Sequence, residues 1–144
     1  MKIRLEQKTI ITNYKVEFID ITKIVERFIT DSDIQNGLIL IMSKHTTTGI
    51  IVNEGLPDIE SDIAMQIERL VPEDMPYYRH ARFLHSDGQM AINASSHIKG
   101  TLLGFEAAFP IKNKELFSGK RQTIYFVELD GPQERTYIMQ AIGE

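Results

Sequence analysis

Hydrophobic and polar positions repeat with two different periods along the first part of the chain. Residues 2–18 alternate imperfectly between apolar and polar side chains, which predicts one or two β-strands. Asp20 is the expected N-cap of a helix that should end in the region of residues 31–33. The apolar residues of this segment fall at helical spacing and are Ile21, Ile24, Val25, Phe28 and Ile29.

Two strongly apolar runs follow, residues 37–42 and 50–52, and a short polar link separates them. Short runs that are rich in β-branched side chains predict two buried strands. Pro57 and Asp58 then open a second predicted helix, which Pro72 closes. The apolar stripe of that helix consists of Ile59, Ile63, Ile67 and Leu70.

The second half of the chain begins with a long polar and aromatic segment, residues 73–91, of the kind that often forms a binding loop. A third, short helix is predicted from about residue 93 to residue 103, before Gly104. Three strands are then predicted to form a β-meander, over residues 105–111, 122–129 and 135–142. This order predicts one α+β domain over residues 1–144, with a largely antiparallel sheet or sandwich and about three helices.

Composition narrows the classes of function. A formal net charge of −4 argues against nucleic acid binding as the main activity. Because the chain has no cysteine, disulfides, thiolate metal ligands and a cysteine nucleophile are all excluded. No apolar run approaches the roughly 20 residues that span a bilayer, and the first residues do not resemble a secretion signal. We therefore expect a cytoplasmic protein that binds neither nucleic acid nor membranes.

The polar link, residues 44–49, carries a histidine and three threonines between two apolar strands. Such groups are costly there unless they are hydrogen-bonded or bind something, so the link suggests a site. The chain has four histidines: His45, His80, His85 and His97. Three imidazoles with an open water position form a catalytic zinc site, but this spacing matches no compact ligand motif. Surface or hydrogen-bonded histidines therefore remain the alternative.

Acidic and amide residues offer further candidates, each with a structural alternative. Glu54, Asp58 and Asp62 are spaced four apart and could hold Mg²⁺ or orient histidine ligands, or could stabilise the helix dipole. Gln122 and Glu128 lie on one face of a predicted strand, where they either frame a pocket or lie at solvated strand ends.

A local basic cluster lies in the last third of this acidic chain. It could contact a phosphate, although lysines near sheet edges also deter aggregation. Its members are Lys112, Lys114, Lys120 and Arg121.

The order of these motifs resembles the YjbQ-like family, which is commonly described as a secondary thiamine-phosphate synthase. The resemblance extends from about residue 37 to the C-terminus. It rests on His45-Thr46-Thr47-Thr48-Gly49-Ile50, Asn53-Glu54, Pro57-Asp58, Asp62, Tyr78-Arg79-His80, Ser96-His97-Ile98-Lys99-Gly100, Gln122, Glu128 and Asp130-Gly131-Pro132. Arg121 departs from the pattern, because the family usually has a tryptophan at this position.

The resemblance implies a compact α+β homotrimer whose histidine-lined pocket holds a divalent metal, zinc more readily than magnesium. It implies His45, His80 and His97 as metal ligands, with His85 as the alternative to His80. The residues it implies for catalysis are Glu54, Glu128 and Gln122. Those it implies for substrate binding are Thr46, Thr47, Asn53 and Lys99, and we add Arg121 as a cation for an anionic substrate.

Three hypotheses about function follow. The first is a metal-dependent transferase that joins a pyrimidine diphosphate to a thiazole phosphate, as the resemblance implies. Histidine ligands favour transition metals and a metal-bound hydroxide, so the second is a hydrolase of a small phosphorylated or acyl substrate. The third is a non-catalytic trimer that binds a small ligand or metal. In the enzymatic cases we expect an anionic small-molecule substrate.

Overall fold

In a computed structural model, the described residues, 1–80 and 92–144, form eight strands and three helices. The strands are β1 (Lys2–Ile11), β2 (Glu17–Asp20), β3 (Asn36–Ser43), β4 (Thr48–Glu54), β5 (Glu106–Lys112), β6 (Glu115–Leu116), β7 (Gln122–Glu128) and β8 (Glu134–Gly143). The helices are α1 (Thr22–Ser32), α2 (Pro57–Leu70) and α3 (Ala94–Leu103). The predicted α+β class and all three predicted helices are confirmed.

The strands form two antiparallel sheets, one of five strands in the order β1-β8-β3-β5-β6 and one of three in the order β2-β7-β4. The predicted β-meander is wrong, because successive strands of the C-terminal part lie in different sheets. β5 and β8 both pair with β3, whereas β7 pairs with β2 and β4. A physical reason lies in β7, which is apolar on both faces and therefore takes a central place that is covered on both sides.

One core lies between the two sheets and is closed by α1. It contains the inward-facing residues of β3, β8 and β5, those of β4 and β7, and the apolar stripe of α1. The opposite face of the three-stranded sheet carries Tyr125, Val127 and Leu129, which pack with Leu103 of α3. The hydroxyl of Tyr125 donates a hydrogen bond to Glu60 of α2, 2.7 Å away. Helices α2 and α3 therefore cover the face of this sheet that the main core leaves open.

Helix α1 begins one residue later than the Asp20 cap predicts. Ile21 is the N-cap residue, and the Asp20 carboxylate instead accepts a hydrogen bond from the backbone N–H of Thr22, at 2.9 Å. The helix ends at Ser32 within the predicted region, and its C-cap residue, Asp33, adopts a left-handed conformation (φ 56°). The Asp33 carboxylate is fixed there by the amines of Lys2 and Lys114.

The outer face of the five-stranded sheet is largely apolar, and no helix of the described residues packs on it. Strand register places one row of side chains from four strands on this face. Its apolar residues, which we call the outer apolar face, are Ile3, Leu5, Leu38, Leu40, Met42, Ala108, Pro110, Ile138 and Ile142. Gln7, Gln140 and Glu106 lie on the same side of the sheet. All of them are exposed or half-buried. Among the described residues, no helix is both long and apolar enough to cross a membrane.

Candidate functional site

The polar link carries the chain from one sheet to the other, since β3 belongs to the five-stranded sheet and β4 to the three-stranded one. The link is braced from within: the hydroxyls of Ser43 and Thr48 lie 2.6 Å apart. Helix α3 packs tightly against it, and a Cβ added at Gly100 would lie 2.8 Å from the carbonyl oxygen of Thr46. The absence of a side chain at position 100 therefore lets the helix approach the link.

His45, half-buried in this link, is held by strand β8. Its Nε2 accepts a hydrogen bond from the backbone N–H of Thr136 at 2.8 Å and lies 3.2 Å from the hydroxyl of the same residue. Burial lowers the pKa of the His45 imidazole, and the nearby Arg135 guanidinium lowers it further. The ring is therefore neutral near pH 7, with its proton on Nδ1 because Nε2 acts as an acceptor.

His80 and His97 form a close imidazole pair at the start of α3. Their ring centroids lie 4.7 Å apart in an edge-to-face arrangement. They line a pocket of about 440 Å³ whose walls also include Tyr77, Tyr78 and Arg79. Burial lowers the pKa of the His97 imidazole, and its neighbour His80 lowers it further. A neutral His97 presents a nitrogen lone pair, which is what a metal ligand or a general base requires.

The third predicted ligand lies apart from this pair. His45 is bound to Thr136, and the cleft beside it shares no lining residue with the His80–His97 pocket. Within residues 1–80 and 92–144, no three histidine or carboxylate side chains are grouped closely enough to hold a metal ion. His85, the alternative ligand, lies outside the described residues. The described residues thus bring together two of the predicted ligands, His80 and His97, and do not complete a three-histidine site.

Glu128, a predicted catalytic residue, is fully buried at the end of β7. Its carboxylate accepts five hydrogen bonds from surrounding groups of the chain. Burial raises the pKa of this carboxyl, but the Arg135 guanidinium and the backbone and hydroxyl donors outweigh it, so the pKa is lowered overall. The five donors are Arg135 Nε (2.8 Å), Arg135 Nη2 (2.7 Å), Thr12 Oγ1 (2.8 Å), Leu129 N (2.9 Å) and Asp130 N (2.8 Å). Glu128 is therefore an ionised anchor for the turn that follows β7.

The two threonines predicted to bind substrate differ in their surroundings. Thr47 is buried, and its hydroxyl accepts a hydrogen bond from Arg135 at 2.8 Å. Thr46 is exposed and lines a cleft beside His45. The Glu128–Arg135 pair thus reaches across to the polar link and holds it at Thr47.

The other predicted residues lie at the far end of the three-stranded sheet. Register pairs Thr48 with Glu128 at one end of β4 and Glu54 with Gln122 at the other, six residues or about 20 Å away. At that end the Arg121 guanidinium donates a hydrogen bond to the Glu54 carboxylate at 2.7 Å. The side-chain oxygen of Gln122 accepts a hydrogen bond from the backbone N–H of Gly119. The side-chain oxygen of Asn53 accepts a hydrogen bond from the backbone N–H of the next residue, Glu54. The structure therefore does not bring these four residues to the histidines.

Lys99, also predicted to bind substrate, is buried on the side of α3 that faces α2. Its amine pairs with the Glu68 carboxylate of α2. The crevice around this pair is otherwise apolar, with Phe18, Ile67 and Leu103 among its walls. In this position Lys99 fastens α2 to α3 and is separated from the imidazole pair.

Sequence reasoning gave no site role to Arg135, Thr12 or Thr136, which organise the region around His45. A usable signal was present for Arg135: it shares the inward-facing row of β8 with Tyr137 and Met139. A charged side chain on a core-facing position requires a buried partner of opposite charge. Thr12 and Thr136 carry no such signal, because their partners are distant in the chain.

The sequence and the fold of this chain are similar to those of a known protein family. The family model described as "UPF0047 protein YjbQ-like" matches residues 6–144. A UPF0047 protein of Archaeoglobus fulgidus is 39% identical over 134 residues, which are 93% of this chain and 98% of the relative. The protein YugU of Bacillus subtilis is 34% identical over 92% of this chain and 94% of its own. The crystal structure of a YbjQ-like protein of unknown function from Sulfolobus solfataricus P2 is 32% identical, with a TM-score of 0.88 and 99% of each chain covered.

Proposed function

The chain belongs to the YjbQ-like UPF0047 family, and on that premise we propose that it is a metal-dependent enzyme acting on a small anionic substrate. The observation that carries the proposal is the half-buried imidazole pair of His80 and His97, 4.7 Å apart in an open pocket. Imidazole nitrogen is a ligand for zinc and similar transition metals, whereas magnesium prefers carboxylate oxygen. We therefore propose zinc before magnesium, with a third ligand beyond the two described imidazoles.

A hydrolytic reaction suits this donor set best. A zinc ion held by imidazoles makes its bound water acidic enough to attack near neutral pH. Arg79 lines the same pocket and supplies a cation for a phosphate or carboxylate of the substrate. We propose a small phosphorylated or acyl compound as the substrate. The absence of cysteine suits the reducing cytoplasm, where we place the enzyme.

A thiamine-phosphate synthase is the second candidate, and Arg79 is the observation in its favour. Transfer of a pyrimidine diphosphate releases pyrophosphate, so the site needs cations to neutralise that leaving group. Arg79 is one such cation beside the imidazoles. The other two cations expected from the sequence, Lys99 and Arg121, are paired with Glu68 and Glu54 instead. The hydrolase therefore remains the better-supported function.

Metal analysis of the purified, untagged chain tests the proposal. We expect about one zinc per chain in the wild type, lost in His97→Ala and in His80→Ala. The matched control is Lys23→Ala, at an exposed position of α1, which should keep the metal. A wild type that takes up no divalent metal after incubation would overturn the metal site. Metal without turnover on phosphoester, ester and thiamine-precursor panels would favour the non-catalytic binding protein.

We also propose that the chain assembles as a homotrimer through the outer apolar face. Leaving nine aligned apolar side chains in water is unfavourable, and contiguous exposed patches of this kind mark contact surfaces. In a closed ring of three copies, one part of this face packs on a different part of the next copy's face. Both parts are mainly apolar, and the charged residues Glu106 and Lys112 lie at the ends of β5. Light scattering after size exclusion should give three times the chain mass.

A pair of matched variants tests this assembly. Leu38 lies on the outer apolar face and is 46% exposed, whereas Ile24 lies on α1 and is 40% exposed. Leu38→Lys should dissociate the trimer, while Ile24→Lys should leave it intact. A monomeric wild type, or a trimer that tolerates lysine at position 38, would contradict the proposed interface.

A further inference from the structure

We propose that His45 donates a hydrogen bond from Nδ1 to an oxyanion of the substrate, in a cleft next to the imidazole pair, and does not ligate the metal. The cleft has a volume of about 290 Å³. Its role in a reaction rests on the function proposed above, whereas its ability to bind an oxyanion does not. The ligand class is a phosphate or carboxylate group on a small molecule.

The first argument is the tautomer of His45. The backbone N–H of Thr136 can only donate, and it lies 2.8 Å from His45 Nε2. Nε2 is therefore the unprotonated nitrogen, and the neutral ring carries its proton on Nδ1. Binding a metal through Nε2 would leave the half-buried N–H of Thr136 without its acceptor, at a cost in free energy. The ring is thus arranged to donate through Nδ1.

The second argument is the chemistry of the cleft around this ring. Lys44 lines the cleft, with its amine donating one hydrogen bond to Gln7 Oε1 at 2.7 Å, and none of the lining residues is acidic. Thr46 adds a hydroxyl, and Phe105 adds a half-exposed aromatic face. A cation, an N–H donor and a hydroxyl in the absence of carboxylates favour an oxyanion over a cation or a metal ion. The aromatic wall suits a planar group attached to that anion.

The third argument is the position of the cleft relative to the imidazole pair. Thr101 lines the cleft and lies four residues beyond His97 on α3, or about 6 Å along the helix axis. The hydroxyl of Thr101 donates to the carbonyl oxygen of His97, so the two residues occupy successive turns on one side of the helix. The cleft therefore begins one helical turn beyond His97, on the same side of α3.

Nitrogen-15 NMR of the imidazoles in the full chain tests the tautomer directly. At a pH where His45 is neutral, long-range proton–nitrogen correlations should show the proton on Nδ1. They should also show that inorganic phosphate shifts this nitrogen on binding. A neutral His45 with its proton on Nε2 would overturn the proposal.

Binding measurements with inorganic phosphate and with acetate test the cleft. We expect His45→Ala and Lys44→Gln each to weaken binding of the preferred anion about tenfold, the range for a hydrogen bond to a charged group. His45→Asn restores a donor near the position of Nδ1 and should recover most of the affinity. Unchanged binding in His45→Ala, or no binding of either anion by the wild type, would overturn the site.

Metal content separates this proposal from the proposed function. His45→Ala should keep the wild-type metal stoichiometry. Loss of metal from this variant would show that His45 is a metal ligand. His97→Ala should lose metal yet bind phosphate within about twofold of wild type. If the wild type holds no metal but binds phosphate through His45, the metal-dependent function fails while the oxyanion site stands.

Discussion

Two arginine–carboxylate pairs lie at opposite ends of strands β4 and β7, and they have little in common beyond their chemistry. The side chains of Glu128 and Arg135 are 0% and 5% exposed, and the carboxylate accepts five hydrogen bonds. Those of Glu54 and Arg121 are 32% and 83% exposed and share one contact of 2.7 Å. A buried charge without its partner is strongly destabilising, whereas a surface pair contributes little. We therefore expect the buried pair, Glu128–Arg135, to be essential to the stability of the fold. We expect the exposed pair, Glu54–Arg121, to contribute little to it.

The largest effect is expected from Arg135→Met. This change leaves the buried Glu128 carboxylate without its cation, which costs about 3–5 kcal/mol of the free energy of unfolding. Urea denaturation followed by circular dichroism at pH 7 measures the loss. Arg135→Lys is the matched control, since it keeps the charge and should lose less. A loss below about 1 kcal/mol for the methionine variant would mean that the pair is not the anchor of this region.

The second effect is a dependence of stability on pH. Because the pKa of Glu128 is lowered in the folded state, its ionised form stabilises the fold above the unfolded pKa of about 4.3. That stabilisation is lost as the pH falls through the folded pKa. Glu128→Gln should therefore be less stable than wild type by about 2–3 kcal/mol at pH 7, and the gap should narrow below pH 4. A gap that stays constant between pH 7 and pH 3 would contradict the assignment.

A smaller effect is expected at Thr12. Its hydroxyl donates to Glu128 at 2.8 Å and accepts from the backbone N–H of Gln133 at 2.8 Å. Thr12→Val keeps the volume but removes both hydrogen bonds, and we expect a loss of about 1–2 kcal/mol. Thr12→Ser keeps the hydroxyl and serves as the control in the same denaturation experiment. Equal losses in the two variants would assign the effect to packing.

The smallest effect is expected at the exposed pair. Arg121→Ala should change the free energy of unfolding by no more than about 0.5 kcal/mol, because solvent screens the contact with Glu54. Added salt should barely alter the small difference between wild type and variant. A loss comparable to that of Arg135→Met would remove the distinction between the two ends of the sheet.

The sequence predicted the elements of this fold well, because periodicity is a local property. The stripe of α2 and the limits of α3 at residues 94 and 103 follow from spacing, Pro57 and Gly104. Sheet partners do not follow from local pattern. β7 and β8 are neighbours in sequence with similar apolar content, yet they lie in different sheets. Pairing depends on which strands cover each face, and that is a property of the assembled chain.

The candidate site shows the same division between local and distant information. His45, His80 and His97 were identified as residues of interest from the sequence, and two of them meet in the structure. The separate placement of His45 depends on Thr136, 91 residues away along the chain. Glu54 and Glu128 were predicted to act together, but strand register puts them at opposite ends of β4 and β7. Residue type identifies candidates for chemistry, and only tertiary pairing decides which of them work together.

The pairing of β1 with β8 has a consequence for the order of events in synthesis. Lys2 lies opposite Gly143, and β8 fills the place between β1 and β3. The five-stranded sheet therefore cannot close until residues 134–143 have left the ribosome. Until then β1 and β3 present unpaired edges, and contacts between such distant residues form slowly. We infer that the five-stranded sheet closes only once β8 has emerged, and that the edges of β1 and β3 are open to wrong pairing until then.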